Sequence, residues 1–475
     1  MASPMAPAGP SPQRLSLGLS LAFAATSLPL SALGIAVSVH LPAYFAASLG
    51  VELAVVGAAF ALARAIDVPI EPALGLAMDR TTTRWGRYRV WTLLGAPFLM
   101  AGLFLLLQAD SSVGTGGLVA FLLVMYLGSS MLLLSHSAWA STLAASYNDR
   151  ARLFGVITAV GVAGAVSVLL FPIVMEQLGY TDAQAIRAMI WYLIALAPLA
   201  VLLVIWRTPE RVMRDAPGAR FRLRDYVELV FDRNMFRVIV ADLALGLGPG
   251  WMAALYLFYS RDYMGFTSGQ ANILLLIYIV AGIAGAPSLA WVATRIGKHR
   301  AVIASAILYS LLLVSLPLLP KGVLLASAPT LFFTGFFAAS FNVLTRAMTA
   351  DVADEMRLRQ GKERGGLLYA LTTLTNKVAA GVGIALTFWV LGQTGYDPQL
   401  GDRNTPEAVR SLMLVFVAGP IVFVSLGALV LLGYGLTPAR AAETRRQLDA
   451  REAAMLAGAG VESLTGEEAP PPRRD

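Results

Sequence analysis

Long apolar runs, each closed by a few charged or turn-forming residues, set the pattern of this chain. They fall at about residues 15–47, 51–78, 90–108, 115–146, 152–178 and 183–206, and again at 238–262, 269–294, 301–319, 323–350, 365–394 and 409–436. About 20 apolar residues in helical form cross a hydrocarbon layer of about 30 Å. The pattern therefore predicts twelve transmembrane helices in an all-α membrane protein. The first run is too long for one minimal crossing and carries Pro29, Gly34 and Pro42, which predicts a tilted or broken helix ending near His40 and Tyr44. Between the sixth and seventh runs, residues 207–237 turn charged, and Tyr226, Leu229 and Phe231 there predict a short amphipathic helix on the membrane surface. Six runs on either side of this linker predict two pseudo-symmetric six-helix halves, 15–206 and 238–436, with a site between them.

Composition agrees with this reading. Of 475 residues, 57% are hydrophobic and 14% charged, and the mean hydropathy is +0.68, whereas soluble domains carry about 25% charged residues. The chain has no Cys, which excludes disulfide and thiolate chemistry. Its three His are too scattered for an all-His metal site. The net charge of +7 does not imply a nucleic-acid partner, because the Arg and Lys sit in short loops between apolar runs. They gather on one side, at Arg80 to Arg89, Arg150 and Arg152, Arg207 to Arg237, Arg295 to Arg300, Arg357 to Arg364 and from Arg440 onward. Basic loops stay inside, so that side is expected to be cytoplasmic, with both termini on it and the protein in the cell inner (plasma) membrane. Residues 1–14, rich in Pro, Ala and Ser, read as a disordered tail and not a signal peptide. Residues 437–475 read as a charged cytoplasmic tail, helical through about 441–456 and then disordered.

Within the second run stand Arg64, Asp67 and Glu71. Spacings of three and four put them on one helix face, and a charge near the bilayer centre costs about 3 kcal/mol on insertion scales unless paired or hydrated. Pro69 and Pro72 have no backbone N–H, which frees the carbonyls of Ala65 and Val68 beside the two acids. A structural ion pair would account for Arg64 and one acid. The second acid points to a cation or proton site.

The loop that follows, Gly75-x-x-x-Asp79-Arg80-x-x-x-Arg84-x-Gly86-Arg87, resembles the GxxxDRxxxRxGR loop of the major facilitator superfamily. DVPIEP before it, HSAWASTLAASYNDRARLFG after the fourth run, and ADVADEMRLRQGKERGGLLYALTTLTNKVAAGVG around the eleventh narrow the likeness. Together they resemble the glycoside-pentoside-hexuronide:cation symporters, the family of the melibiose carriers. The resemblance implies a twelve-helix fold with alternating access, cation binding by Asp67 and Glu71, and Lys377 and Arg64 as their charge partners. Family members that use sodium add neutral oxygens where this chain has Ile70 and Leu132, which favours H⁺ over Na⁺ as coupling ion, although Ser129, Ser130 and the freed carbonyls remain as oxygen donors. The family's sugar-site charges are replaced here by Ser135 and Val160, while Trp139 and His136 stand where an aromatic ring and a donor would face the solute, with packing or a membrane-interface position as the alternative for Trp139.

In the second half, Asp242, Asn342, Arg346 and Lys377 either converge on the cavity or, for Asp242 and Arg346, snorkel from span ends. Trp251, Tyr256 and Tyr259 line a binding surface or pack between helices. Asp79, Arg80 and Arg87 in one loop, and Asp351, Asp354 and Arg364 in the loop before the eleventh run, are expected to form a cytoplasmic gate of salt bridges between the halves. The expected function is a cation-coupled symporter of a small organic, sugar-like solute, acting as a monomer in the lipid bilayer with no cofactor beyond its coupling ion. The alternatives are a carrier of an amphiphilic or lipid-like molecule and a non-transporting sensor. No GxxxxGK[ST] phosphate loop and no catalytic constellation suggests an enzyme.

Overall fold

Twelve helices long and apolar enough to cross a membrane run through the computed structural model, which describes residues 15–144, 147–210, 232–360 and 365–465. The tail 1–14, the surface helix around Tyr226, Leu229 and Phe231, Arg364, and residues 466–475 lie outside the described residues. In the first half are α1 (Leu17–Ala24), α2 (Ser27–Ile35), α3 (Leu41–Ala43), α4 (Leu53–Arg80), α5 (Tyr88–Leu107), α6 (Thr115–Leu143), α7 (Tyr147–Gln177) and α8 (Asp182–Arg207). The second contains α9 (Arg233–Phe258), α10 (Ser268–Ile296), α11 (Lys298–Ser315), α12 (Leu324–Gln360), α13 (Gly365–Gly392) and α14 (Pro406–Leu431), followed by α15 (Pro438–Thr465).

The first run is broken, as its prolines imply. Helix α1 stops at Ala24, and α2 restarts at Ser27 with Pro29 in its first turn, where a missing N–H costs nothing. Beyond α2 the chain widens into π-turns at Ala36–His40 and Tyr44–Ser48 around Pro42. Elsewhere the helix starts are chemically marked. Thr181 and Thr267 each form a reciprocal capping box with the Gln three residues on, and Asp232 caps α9 through the N–H groups of Asn234 and Met235.

Helix boundaries differ from the sequence expectation by a few residues in several spans, and three of the differences have a visible cause or consequence. The fourth span ends at Leu143, because Ala144 turns extended and Arg150 Nε donates to its carbonyl at 3.0 Å. Helix α12 runs on to Gln360, so Asp351 and Asp354 are helical and not in a loop. The tail helix α15 spans Pro438–Thr465, longer than the expected 441–456, and docks on the end of α12 through Arg440–Glu355 and Arg445–Asp354 ion pairs at 2.7 and 3.0 Å.

The halves meet mainly along α4 and α13. A Cβ on Gly57 would lie 3.1 Å from Ala385 Cα, and one on Gly381 would lie 2.7 Å from Arg64 Cβ. The two helices are therefore closer than ordinary side chains allow. At the end remote from the basic loops the halves are also joined by Glu176, which accepts from the Gly269 N–H at the start of α10, and by Gln399 Nε2, which donates to Gly50 O at 3.3 Å. At the basic end the described ion pairs stay within one half. Asp351 pairs with Lys298 at 2.7 Å, Asp354 with Arg445, Arg359 with Asp232, and Asp79 with Arg87 at 3.9 Å. Among the described residues, Asp351 and Asp354 therefore make no salt bridge to the first half in this conformation, whereas the expected gate belongs to the state closed at the basic end. The extension of α12 carries both acids to Lys298 and α15 instead.

Candidate coupling site between the halves

Helix α4 stays helical through Pro69 and Pro72, and this keeps Arg64, Asp67 and Glu71 on the face turned to α6 and α13. Asp67 is buried to 1% exposure. Its Oδ2 accepts from Arg64 Nη1 at 3.2 Å and from Lys377 Nζ at 3.0 Å, and its Oδ1 accepts from Ser130 Oγ at 3.1 Å. Lys377 also forms an ion pair with Glu71. That contact is not aligned as a hydrogen bond, and Glu71 Oε1 is otherwise without a hydrogen-bond partner among the described residues. Arg64 is held from the other side by the face of Tyr126, with its Cζ 3.8 Å from the ring centroid.

Two carboxylates and two cations make a neutral cluster, and its parts come from α4, α6 and α13. Neutrality is what allows the fully buried Asp67 and its partly buried partners Arg64, Glu71 and Lys377 to sit together inside the helix bundle, because each isolated ion would cost several kcal/mol to bury. Lys377 is the contact that ties the second half to the acids of the first. Ser129 turns away and donates to Tyr126 O at 2.9 Å. Leu132 is fully buried against Gly95. The oxygens gathered here are those of Asp67, Glu71 and Ser130.

The second half holds its own buried acid. Asp242, 3% exposed, accepts from Thr345 Oγ1 at 2.7 Å, from Thr375 Oγ1 and from Asn376 Nδ2 at 3.1 Å. Asn342 reaches Asn376 Oδ1 at 3.4 Å. Asp242 does not snorkel. Arg346, on the same helix as Asn342, is exposed.

The aromatic and polar residues singled out on α6 and α9 sit in packing. Ser135 shares a hydrogen bond with Thr92 at 2.8 Å. His136 Nε2 lies 2.9 Å from Phe23 O, with its ring stacked on Phe23. Trp139, 1% exposed, meets Phe23 edge-on and donates to Pro209 O at 3.4 Å. Trp251 donates to Val415 O at 2.9 Å against Gly419, and Tyr256 donates to Ala271 O at 2.7 Å. None of the five touches Asp67 or Glu71. Tyr126, Thr345, Thr375 and Asn376 do not stand out in the sequence. Tyr126 and Ser130, four apart on α6, and Asn376, next to Lys377, are the available signals.

The family described as MFS/sugar transport protein matches residues 22–438. The chain belongs to this family. Its curated relatives include the isoprimeverose transporter of Lactiplantibacillus pentosus, 25% identical over 84% of this chain and 84% of that protein. The glucuronide carrier protein homolog of Escherichia coli (strain K12) is also 25% identical, over 87% of this chain and 92% of that protein. Among solved structures, the nucleoside transporter NupG superposes with a TM-score of 0.65 at 14% identity, over 88% of this chain and 100% of that one, which supports the fold alone. The resemblance to glycoside-pentoside-hexuronide:cation symporters read from the loops and from DVPIEP thus holds along the chain. MFS/sugar transport proteins are membrane transporters and not enzymes, and this chain is a multi-pass membrane protein with their twelve-helix architecture.

Proposed function

We propose that this chain is a proton-coupled symporter of a small glycoside-like solute, and that Asp67 and Glu71 carry the coupling proton. The observation that supports this reading is Lys377 bridging both acids from the opposite half. With both acids ionised the cluster is neutral, so the unloaded carrier can change conformation at little electrostatic cost. A proton taken up at the pair leaves the buried cluster with a net charge of +1 and loosens the hold on Lys377. Solute groups that accept from the released ammonium then restore a satisfied site. Proton and solute together permit the change, and either alone disfavours it.

A proton suits the donor set better than sodium. A hard cation takes several oxygens, while Ile70 and Leu132 offer none and the Ser129 hydroxyl is engaged elsewhere. The halves 15–206 and 238–436 would rock about the linker 207–237, with the basic end cytoplasmic, both termini inside, and one chain as the working unit in the plasma membrane. The described contacts, close at the end away from the basic loops, then correspond to a carrier open to the cytoplasm. The relatives' sugar and glycoside solutes support the solute class.

A thermal-shift screen of the purified chain tests this reading, because a ligand of the folded state raises the melting temperature by mass action. Glycosides should stabilise the protein, more so at acid pH and equally with or without Na⁺. Stabilisation by Na⁺ alone, or by lysolipids and not by glycosides, would overturn it in favour of a sodium site or an amphiphile carrier.

A further inference from the structure

Asp242 has no role in the cation chemistry described above, yet it is a buried carboxylate at the wall of a cavity of about 330 Å³ in the second half. Its three partners, Thr345, Thr375 and Asn376, are neutral donors, and among the described residues it takes part in no ion pair. Oδ2 accepts two hydrogen bonds and Oδ1 only one, so an acceptor direction remains on Oδ1. The exposed Asn342 amide shares the cavity wall, with Asn376 beside it. The rest of the wall is apolar, with Tyr278 and Phe341 as the large rings and Gly335 where the helices pack closely. A cavity near the lower end of the ~300–1,000 Å³ range, apolar with a few converging polar groups, is the usual form of a small-molecule site.

Resting on the symport reading, we propose that Asp242, Asn342 and Asn376 form a subsite for the hydroxyl groups of a neutral, polyhydroxylated solute. Asp242 accepts from one hydroxyl, and the Asn342 amide both donates to and accepts from its neighbour. The surrounding charges select against ions. Asp242 disfavours an anion, and Arg346, exposed one helical turn beyond Asn342 and outside the cavity wall but close enough to act on Asp242, disfavours a cation.

The subsite is built into the coupling helix. Consecutive residues of α13 point to different acids, Asn376 to Asp242 in its own half and Lys377 to Asp67 and Glu71 in the other. A shift of Lys377 therefore moves the turn that carries Asn376.

The chain contains no Cys, so Asn342→Cys introduces a single thiol at the cavity wall. Its alkylation by N-ethylmaleimide is followed in proteoliposomes with methyl β-glucoside, methyl β-xyloside or choline. A glycoside present at ten times its Kd should slow labelling about tenfold, and choline should have no effect. Asp242→Asn should weaken glycoside binding about tenfold, and it should also lower the melting temperature without glycoside, because an amide cannot accept all three hydrogen bonds that the carboxylate takes. Should that variant fail to fold, the labelling of Asn342→Cys, a change at an exposed position, decides. If a glycoside that the wild type accumulates leaves the labelling of Asn342→Cys unchanged, or if choline protects and the glycosides do not, the subsite is overturned while the symport reading stands. If neither glycoside is accumulated or bound, the solute class on which both rest is overturned.

Discussion

Lys377 Nζ stands 3.0 Å from Asp67 Oδ2, although 310 positions separate the two residues in the chain. Because α4 belongs to the first half and α13 to the second, this ion pair, together with the one from Lys377 to Glu71, joins the halves at the depth of the buried acids. Any event that weakens it alters both the charge of the cluster and the hold of one half on the other.

Removing the ammonium strands two carboxylates with Arg64 as their one remaining cation among the described residues. Breaking a buried pair from one side costs about 3–5 kcal/mol. Lys377→Met should therefore lower the melting temperature of the purified protein markedly, and Lys377→Arg should lower it far less. Equal melting of Lys377→Met and wild type would mean that the pair contributes nothing to the fold.

The close approach of α4 and α13 depends on Gly381, where an added Cβ would fall 2.7 Å from Arg64 Cβ. Overpacking typically costs about 1–3 kcal/mol. Gly381→Val should destabilise the protein and slow transport by displacing Arg64 from Tyr126, and Gly381→Ala should do the same more mildly. Thermal melting and initial uptake rates measure both effects, and unchanged values for Gly381→Val would contradict the tight interface.

At the end away from the basic loops, Glu176 presents its carboxylate to the first turn of α10 in the other half. A negative charge at a helix N-terminus is worth about 0.3–1 kcal/mol, more when partly buried. Glu176→Gln should therefore shift the equilibrium toward opening at that end. Alkylation of a cysteine placed at Ala271, a buried position lining the narrow pocket there, should speed up about fivefold, the equivalent of about 1 kcal/mol. An unchanged rate would remove Glu176 as a latch.

Much of the fold is legible in the sequence because each span is an apolar run longer than a soluble helix needs, and the capping residues Thr181, Thr267 and Thr405 mark where the chain re-enters helix. Arg64, Asp67, Glu71 and Lys377 stand out because charge inside such runs is rare. The neutral partners do not. Thr345, Thr375 and Asn376 resemble ordinary helix-packing polar residues until Asp242 is seen among them. No local periodicity tells that the indole N–H groups of Trp139 and Trp251 close onto backbone carbonyls. The length of α12 is hidden because Asp351, Asp354 and Glu355 read as loop charge, when Lys298, Arg445 and Arg440 neutralise them along a continuing helix.

The orientation argument predicts that reporter fusions after Arg14 and at Ala441 give the same cytoplasmic signal, since twelve crossings return the chain to its starting side and the basic loops agree. Opposite signals would contradict the twelve-span topology.

The central claim is that Asp67 and Glu71 couple solute to protons, and uptake in proteoliposomes under an imposed gradient tests it most directly. A glycoside identified by thermal shift should accumulate in wild-type vesicles under an inward proton gradient and should ignore a sodium gradient at fixed pH. Asp67→Asn and Glu71→Gln should each abolish accumulation while exchange of the same solute persists, because neutralising the acid removes the coupling charge and leaves the cavity. Full accumulation by the Asp67→Asn, Glu71→Gln double variant would contradict the account, as would wild-type uptake that requires Na⁺.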